Sequence, residues 1–213
     1  IKDELDYLIE LSESDKIEKK NKNIIKDGKV VIKNIHFTYK SGKKIFNNFS
    51  IEINPFIKTA IIGKSGSGKS TLMKLLMGFY NVDNGEILID NINIKNFTLN
   101  YLRKTISYVN QSTTLFNNTI LYNITYGTNA EEDKVKKLID DLKLWDVFKY
   151  VDYNLHKTVG TNGSNMSGGQ KQIILILRAL LNNNSKMIIM DEPTSALDNE
   201  NTKLFLDILS RIK

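Results

Sequence analysis

The apolar positions change spacing several times along the chain, and each change predicts a different element. Residues 1–27 are charged, with Leu5, Leu8, Ile9 and Ile17 on one face, which predicts a helical tail running into a polar linker from Ser12 to Asp27. From Val30 the pattern alternates: Val30 to Phe37 reads as a strand, Ser41-Gly42-Lys43-Lys44 as a turn, and Ile45 to Ile53 as a second strand. Thr59-Ala60-Ile61-Ile62 predicts a short buried strand, and Thr71 to Met77 a helix. Asp83-Asn84-Gly85 predicts a hairpin-type turn into a strand over Glu86–Asp90. Asp90-Asn91 turns the chain again into Ile92-Asn93-Ile94, and Ile106-Ser107-Tyr108-Val109 is a further strand. Val135, Leu138, Ile139, Leu142, Trp145 and Phe148 recur at helical spacing, so Glu131–Phe148 predicts an amphipathic helix or helix pair. Lys171–Leu181 is apolar nearly all round and predicts a buried helix. Met187-Ile188-Ile189-Met190 predicts a buried strand of the parallel-sheet kind, and residues 203–212 a closing amphipathic helix. Strands alternating with helices in this order predict an α/β domain with a mostly parallel sheet.

Composition narrows this picture only a little. The chain has 213 residues, 41% of them hydrophobic, enough for one domain or a domain with a subdomain. With no cysteine there are no disulfides and no thiolate metal sites. The net charge of +6 comes from scattered lysines and forms no compact basic block. No apolar run approaches the ~20 residues needed to span a bilayer. The sequons Asn48-Phe49-Ser50 and Asn123-Ile124-Thr125 read as accidents of an Asn-rich composition.

The chemistry lies in three short stretches. Gly63-Lys64-Ser65-Gly66-Ser67-Gly68-Lys69-Ser70 fits the P-loop pattern G-x-x-x-x-G-K-[ST]. Its glycines let successive N–H groups turn inward, and a helix N-terminus adds positive potential, so the loop cradles phosphates. Lys69 reaches the β- and γ-phosphates and the Ser70 hydroxyl ligates Mg²⁺. Met187-Ile188-Ile189-Met190-Asp191-Glu192 is an apolar strand ending in two acids, a Walker B segment; Asp191 supports Mg²⁺ and Glu192 orients the attacking water. Between them, Ser167-Gly168-Gly169-Gln170 offers two small residues at a helix start, with Ser167 as N-cap.

Together these residues resemble the nucleotide-binding domain of ATP-binding-cassette (ABC) transporters, over about residues 30–210. The resemblance extends to the signature loop at Met166–Gln170, with Met where Leu is usual, and to the Q-loop at Gln111. It also covers the D-loop at Ser195-Ala196-Leu197-Asp198 and the aromatic Tyr39. It implies a P-loop NTPase cassette with an antiparallel β subdomain and a helical subdomain at about 112–175. Residues 1–27 become a linker from a preceding transmembrane domain, and 28–213 the cassette. It assigns nucleotide contacts to Tyr39, Gly63, Lys64, Ser65, Gly66, Ser67, Gly68, Lys69, Ser70 and Thr71, and to Ser167, Gly168, Gly169, Gln170 and Asp198. Magnesium falls to Ser70, Gln111 and Asp191, and catalysis to Glu192, Lys69 and Gln111.

The cofactors so implied are ATP and Mg²⁺. The implied partners are a second cassette joined head-to-tail and a transmembrane domain, with no nucleic acid, at the cytoplasmic face of a membrane. Leu115–Ile124 and Thr158–Gly163 resemble segments of exporter-type cassettes, although Thr161 and Asn162 stand where a Glu and an Arg are usual. Asn54-Pro55-Phe56-Ile57-Lys58 also lacks the family's usual glycine. The chain starts at Ile1, and the switch histidine of the family is expected beyond Lys213, so weak hydrolysis is expected of these residues alone. His36 and His156 read as ordinary residues. The alternative readings are a soluble ABC ATPase of DNA maintenance or translation, and a nucleotide-responsive binding module.

Overall fold

β1 (Val30–Thr38) buries Val30, Ile32, Ile35 and Phe37 along one face, as its alternation predicts. It pairs antiparallel with β2 (Lys44–Ile53) on one side and β3 (Asn84–Ile89) on the other. β4 (Ile92–Asn93) completes a sheet of order β2-β1-β3-β4. The computed structural model describes residues 23–110, 113–195 and 197–212. The apolar face at Leu5, Leu8, Ile9 and Ile17 and the Q-loop Gln111 lie outside the described residues. The chain divides into two units, the first ending at Ser107 and the second beginning at Tyr108.

Local chemistry shapes the first unit. Asn34 (φ 50°) and Asn48 (φ 59°) occupy the left-handed region that Asn tolerates, where the register of β1 on β2 slips, and their side-chain amides bond at 2.9 Å. Asp90 (φ 50°) and Asn91 (φ 65°) form the two-residue turn from β3 to β4, matching the strand twist. The Asp90 carboxylate also accepts backbone N–H bonds from Lys26, Asp27, Gly28 and Lys29 at 2.7–3.0 Å, which staples the residues ahead of β1 to this turn. Two helices complete the unit: α1 (Lys69–Leu76), burying Leu72, Leu75 and Leu76, and α2 (Leu99–Thr105), capped by the Thr98 hydroxyl.

Two expectations fail here. Asn84 and Gly85 are not a hairpin turn but the first residues of β3. Gly85 (φ 82°) is required because a Cβ would lie 2.5 Å from the carbonyl oxygens of Lys33 and Asn34, which the irregular stretch of β1 pushes toward it. Thr59–Ile62 is not a strand, and Ile62 is 93% exposed. The unit's sheet runs from β2 to β4 without these residues, and a short apolar run becomes a strand only where neighbours take up its N–H and C=O groups.

In the second unit β5 (Ile106–Asn110), which starts at the boundary, pairs with β6 (Met187–Asp191). The helices are α3 (Ile120–Thr125), α4 (Glu132–Asp141), α5 (Gly168–Leu181) and α6 (Asn199–Arg211). The expected helix or helix pair over 131–148 is two segments, α4 and a 3₁₀ helix, Trp145–Val151, separated at Lys143 (φ 54°). α5 is the centre of the core. Ile174, Ile176 and Leu177 are fully buried among Ile124, Ile139, Phe148 and Ile208. Each such side chain contributes about 1.5–3 kcal/mol of burial, so the all-round apolar sequence of α5 sets the unit's stability. β6 is less enclosed than its run of apolar residues predicts: Ile189 alone of its five residues is buried, because β5 is its only strand neighbour among the described residues.

Candidate nucleotide site

The P-loop is an exposed turn in which the Ser67 N–H donates to Lys64 O at 3.1 Å. Gly66 (φ 78°) and Gly68 (φ 100°) take the left-handed conformation that bends it. A Cβ on Gly68 would lie 2.7 Å from Ile45 Cγ2 and 3.0 Å from the Phe46 ring, so only glycine lets the loop press on β2. Gly68 is also the N-cap of α1. It has no side chain to cap with, and no acid stands in the first turn. The helix end is therefore electropositive and free of a carboxylate competitor. The Lys69 ammonium donates to Gly63 O at 2.9 Å and Lys64 O at 3.2 Å, which holds it against the loop. These features fit a triphosphate.

Tyr39 is tied to the same helix. Its hydroxyl shares a 2.9 Å hydrogen bond with that of Thr71, the residue after Ser70. Its ring meets Phe37 (5.0 Å, 78°) and Tyr80 (5.3 Å, 89°) nearly edge to face.

The second unit carries the other motifs. The Asp191 carboxylate ends β6 and accepts a 3.1 Å bond from the Tyr108 hydroxyl of β5. Burial, then the Asp191 charge and that bond, push the Tyr108 phenol up to about 12. Sequence reasoning missed Tyr108, which looked like any alternating residue of a strand. Glu192 is exposed and has φ 47°, a left-handed conformation uncommon for a non-glycine residue. Its carbonyl accepts from the Ser195 N–H and hydroxyl, which turns the chain toward the D-loop.

Ser167 caps α5 as expected, and more completely than expected. Gln170 N–H donates to Ser167 Oγ at 3.2 Å, while Gln170 Oε1 accepts from Ser167 N–H at 2.8 Å, a reciprocal capping box. A Cβ on Gly169 would sit 2.3 Å from the Asn201 amide, and Asn201 in turn bonds the Asp198 carboxylate at 2.8–3.1 Å. The structure thus joins the signature loop to Asp198 through Asn201, which the sequence reading did not single out. No group of three or more His, Cys, Asp or Glu is placed to hold a metal among the described residues. Magnesium in nucleotide sites takes only one or two protein ligands and fills the rest with phosphate and water, so the lack of such a cluster does not argue against it.

The two exporter-like segments lie side by side. Val159 N–H bonds Asn118 O, Ile120 N–H bonds Lys157 O, Leu121 N–H bonds Leu155 O, and Thr119 bridges Thr158. Asn123 pins the first segment: fully buried, its amide bonds Phe116 N–H and O and Thr119 O at 2.8–3.0 Å. Phe116, Tyr122 and Tyr126, each more than 40% exposed, group over this segment, with the Arg178 guanidinium 5.9 Å from the Phe116 ring centre and 5.4 Å from that of Tyr126. This patch was not foreseen. Phe116, Tyr122 and Tyr126 lie in or beside the exporter-like segment, but Arg178 comes from 55 residues beyond Asn123. No described helix is long and apolar enough to cross a membrane.

A family profile described as ABC transporter matches residues 46–195, more than half of the chain. The chain is 40% identical over 179 residues to the ATP-dependent lipid A-core flippase of Pasteurella multocida, covering 83% of this chain and 31% of that protein. It is 45% identical over 175 residues to the ABC transporter ATM1 of Plasmodium falciparum, covering 82% and 17%. It is 36% identical over 195 residues to the multidrug resistance-like ATP-binding protein MdlB of Buchnera aphidicola, covering 91% and 33%. Among solved structures, a bacterial Atm1-family ABC exporter with ATP bound matches with TM-score 0.81 and 34% identity over 91% of this chain and 33% of that one. The chain spans about a third or less of the proteins it matches.

Proposed function

The chain belongs to the ABC transporter family, and from that premise we infer that its ATP hydrolysis drives the export of a substrate across a membrane. It is an ATP-binding and hydrolysing cassette of the exporter type; the soluble alternative loses to relatives that are membrane exporters and flippases. In our reading the cassette works at the cytoplasmic face, joined to a transmembrane domain, and pairs head-to-tail with a second cassette. Ser167–Gln170 of one cassette then meet the ATP held by Gly63–Thr71 of the other. Magnesium, when bound with ATP, would supply neutralisation of phosphate charge. In this reading Ser70, Asp191 and Gln111 would hold it, Lys69 would bind the phosphates, and Glu192 would orient the attacking water.

One observation supports the coupling most. The exporter-like segments at 115–124 and 158–163, distant in sequence, are hydrogen-bonded into one surface that carries exposed aromatic rings. Such a surface suits docking by membrane helices, and the exposed Phe116, Tyr122 and Tyr126 are the rings we assign to it.

Glu192→Gln in the full-length protein tests the scheme. ATP binding is expected to persist while hydrolysis falls by about 10²–10⁴-fold and a paired state accumulates on size-exclusion chromatography with ATP. Rapid turnover by the variant would remove Glu192 from the water-orienting role. Transport that continues in vesicles without hydrolysis would break the coupling itself.

A further inference from the structure

Tyr39 is held at more points than a simple stacking residue needs. Its N–H bonds Lys43 O at 2.9 Å, and its C=O accepts from Gly42 N–H at 2.8 Å, so its backbone is locked in a tight turn. Its hydroxyl is fixed by Thr71, which is 7% exposed. Its ring completes a triangle with Phe37 and Tyr80, with centroids 5.0–5.6 Å apart. Phe37 is buried and belongs to the core, whereas Tyr80 is 41% exposed.

Thr71 and Tyr80 both depend on α1. Thr71 lies in its first turn. Tyr80 follows its C-terminus, where Gly78 N–H bonds Leu75 O and Phe79 N–H bonds Lys74 O to set the chain's exit. The helix that starts at the phosphate cradle therefore grips Tyr39 from both of its ends. Any movement of Tyr39 relative to the cradle must break the hydroxyl bond to Thr71 or the ring contact with Tyr80.

Resting on the reading of Tyr39 as the adenine platform, we propose that Tyr80 is a positioning residue for the nucleotide base: it holds the Tyr39 ring at a fixed distance from the P-loop, so that base and triphosphate are bound together. Tyr80 contacts neither phosphate nor magnesium in this scheme. Its contribution is specific to ligands that carry a base.

The test compares two ligands in the full-length protein: ATP, and inorganic tripolyphosphate, which engages the P-loop and has no base. Tyr80→Ala and Tyr80→Leu are expected to weaken ATP binding about fivefold to tenfold, the range of an aromatic pair, and to leave tripolyphosphate binding as in the wild type. Tyr80→Phe keeps the ring and is expected to keep ATP affinity. Tyr80→Leu fills the space without a ring and so separates packing from ring contact. Equal loss for both ligands would overturn the proposal by showing damage to α1. Full ATP affinity in Tyr80→Ala, with Tyr39→Ala impaired, would overturn it while leaving Tyr39 as the platform. Full ATP affinity in Tyr39→Ala would remove the platform reading and the proposal with it.

Discussion

Two helix N-termini in this chain are made of glycine and serine, and they are finished in opposite ways. α1 begins at Gly68 with no side-chain cap and no acid, and a lysine ammonium rests on the loop carbonyls before it. α5 begins at Ser167 with both halves of a capping box made. The first end is open to an anion. The second has already committed the Gln170 N–H to Ser167 Oγ, so a phosphate arriving there competes with an internal bond worth about 1 kcal/mol. If both ends meet one nucleotide, as proposed above, the difference predicts an order of events: the P-loop takes the triphosphate first, and the capped end joins as a weaker, later contact that can also be released.

The sharpest way to break this comparison is at the open end. Lys69→Ala is expected to weaken ATP binding about 100-fold, since it deletes the charge-assisted contacts to two phosphates. Its melting temperature should hardly change, because the Gly63 and Lys64 carbonyls it leaves are exposed to water. Titration calorimetry beside a thermal melt separates the two quantities. Unchanged affinity would mean that the open end is not the phosphate site.

The glycines give the next effect. Gly68→Ala must place a Cβ 2.7 Å from Ile45 at φ 100°, and is expected to cost about 2 kcal/mol or more in denaturant unfolding. Gly169→Ala has no backbone strain of that kind. Its nearest obstacle is the Asn201 amide at 2.3 Å. Trimming that side chain in Gly169→Ala/Asn201→Ala should recover most of its loss, whereas no single partner change should rescue Gly68→Ala. Equal rescue of both would erase the distinction between a backbone requirement and a side-chain clash.

Ser167→Ala is expected to cost less, about 1 kcal/mol of stability. If the capped end is a reversible contact, the same variant should lower hydrolysis by the paired protein more than it lowers ATP affinity. An affinity loss as large as that of Lys69→Ala would make the two helix ends equivalent.

The pattern of legibility follows from what each feature depends on. The P-loop, the Ser167 cap and the Asp90-Asn91 turn were readable because consecutive residues determine them: a glycine spacing, a serine three before a glutamine, two residues that tolerate positive φ. Thr59–Ile62 was misread because strand formation depends on partners distant in sequence. Gly85 was misread because its reason lies in the carbonyls of Lys33 and Asn34. Asn201 and Tyr108 escaped notice for the same cause: each matters through one residue that folding brings to it, Gly169 in one case and Asp191 in the other. Arg178 lies within an otherwise apolar helix, and its role comes from the backbone and rings it meets.

The smallest effects lie at the extremes of pH, where the two units part again. In the second unit the Tyr108 phenol is pushed up to about 12, above its unfolded value near 10. Its contribution to stability is therefore fully present below pH 10 and is lost as pH rises from 10 toward 12. Because Tyr108 is only partly buried, solvent screening keeps this to about 1 kcal/mol or less. In the first unit Asp90 has the opposite sign. Burial opposes its charge, but the four backbone N–H groups more than offset that and hold its carboxyl below the usual range. Its contribution is present above about pH 3.9 and fades as pH falls through the lowered value. Tyr108→Phe should flatten the alkaline limb of a stability–pH curve and leave the acid limb alone, and Asp90→Asn should do the reverse. Tyr150, also raised to about 12 by burial, will leave a residual alkaline slope in Tyr108→Phe. An alkaline limb as steep in Tyr108→Phe as in the wild type would mean that the buried phenol and its bond to Asp191 do not shape that limb.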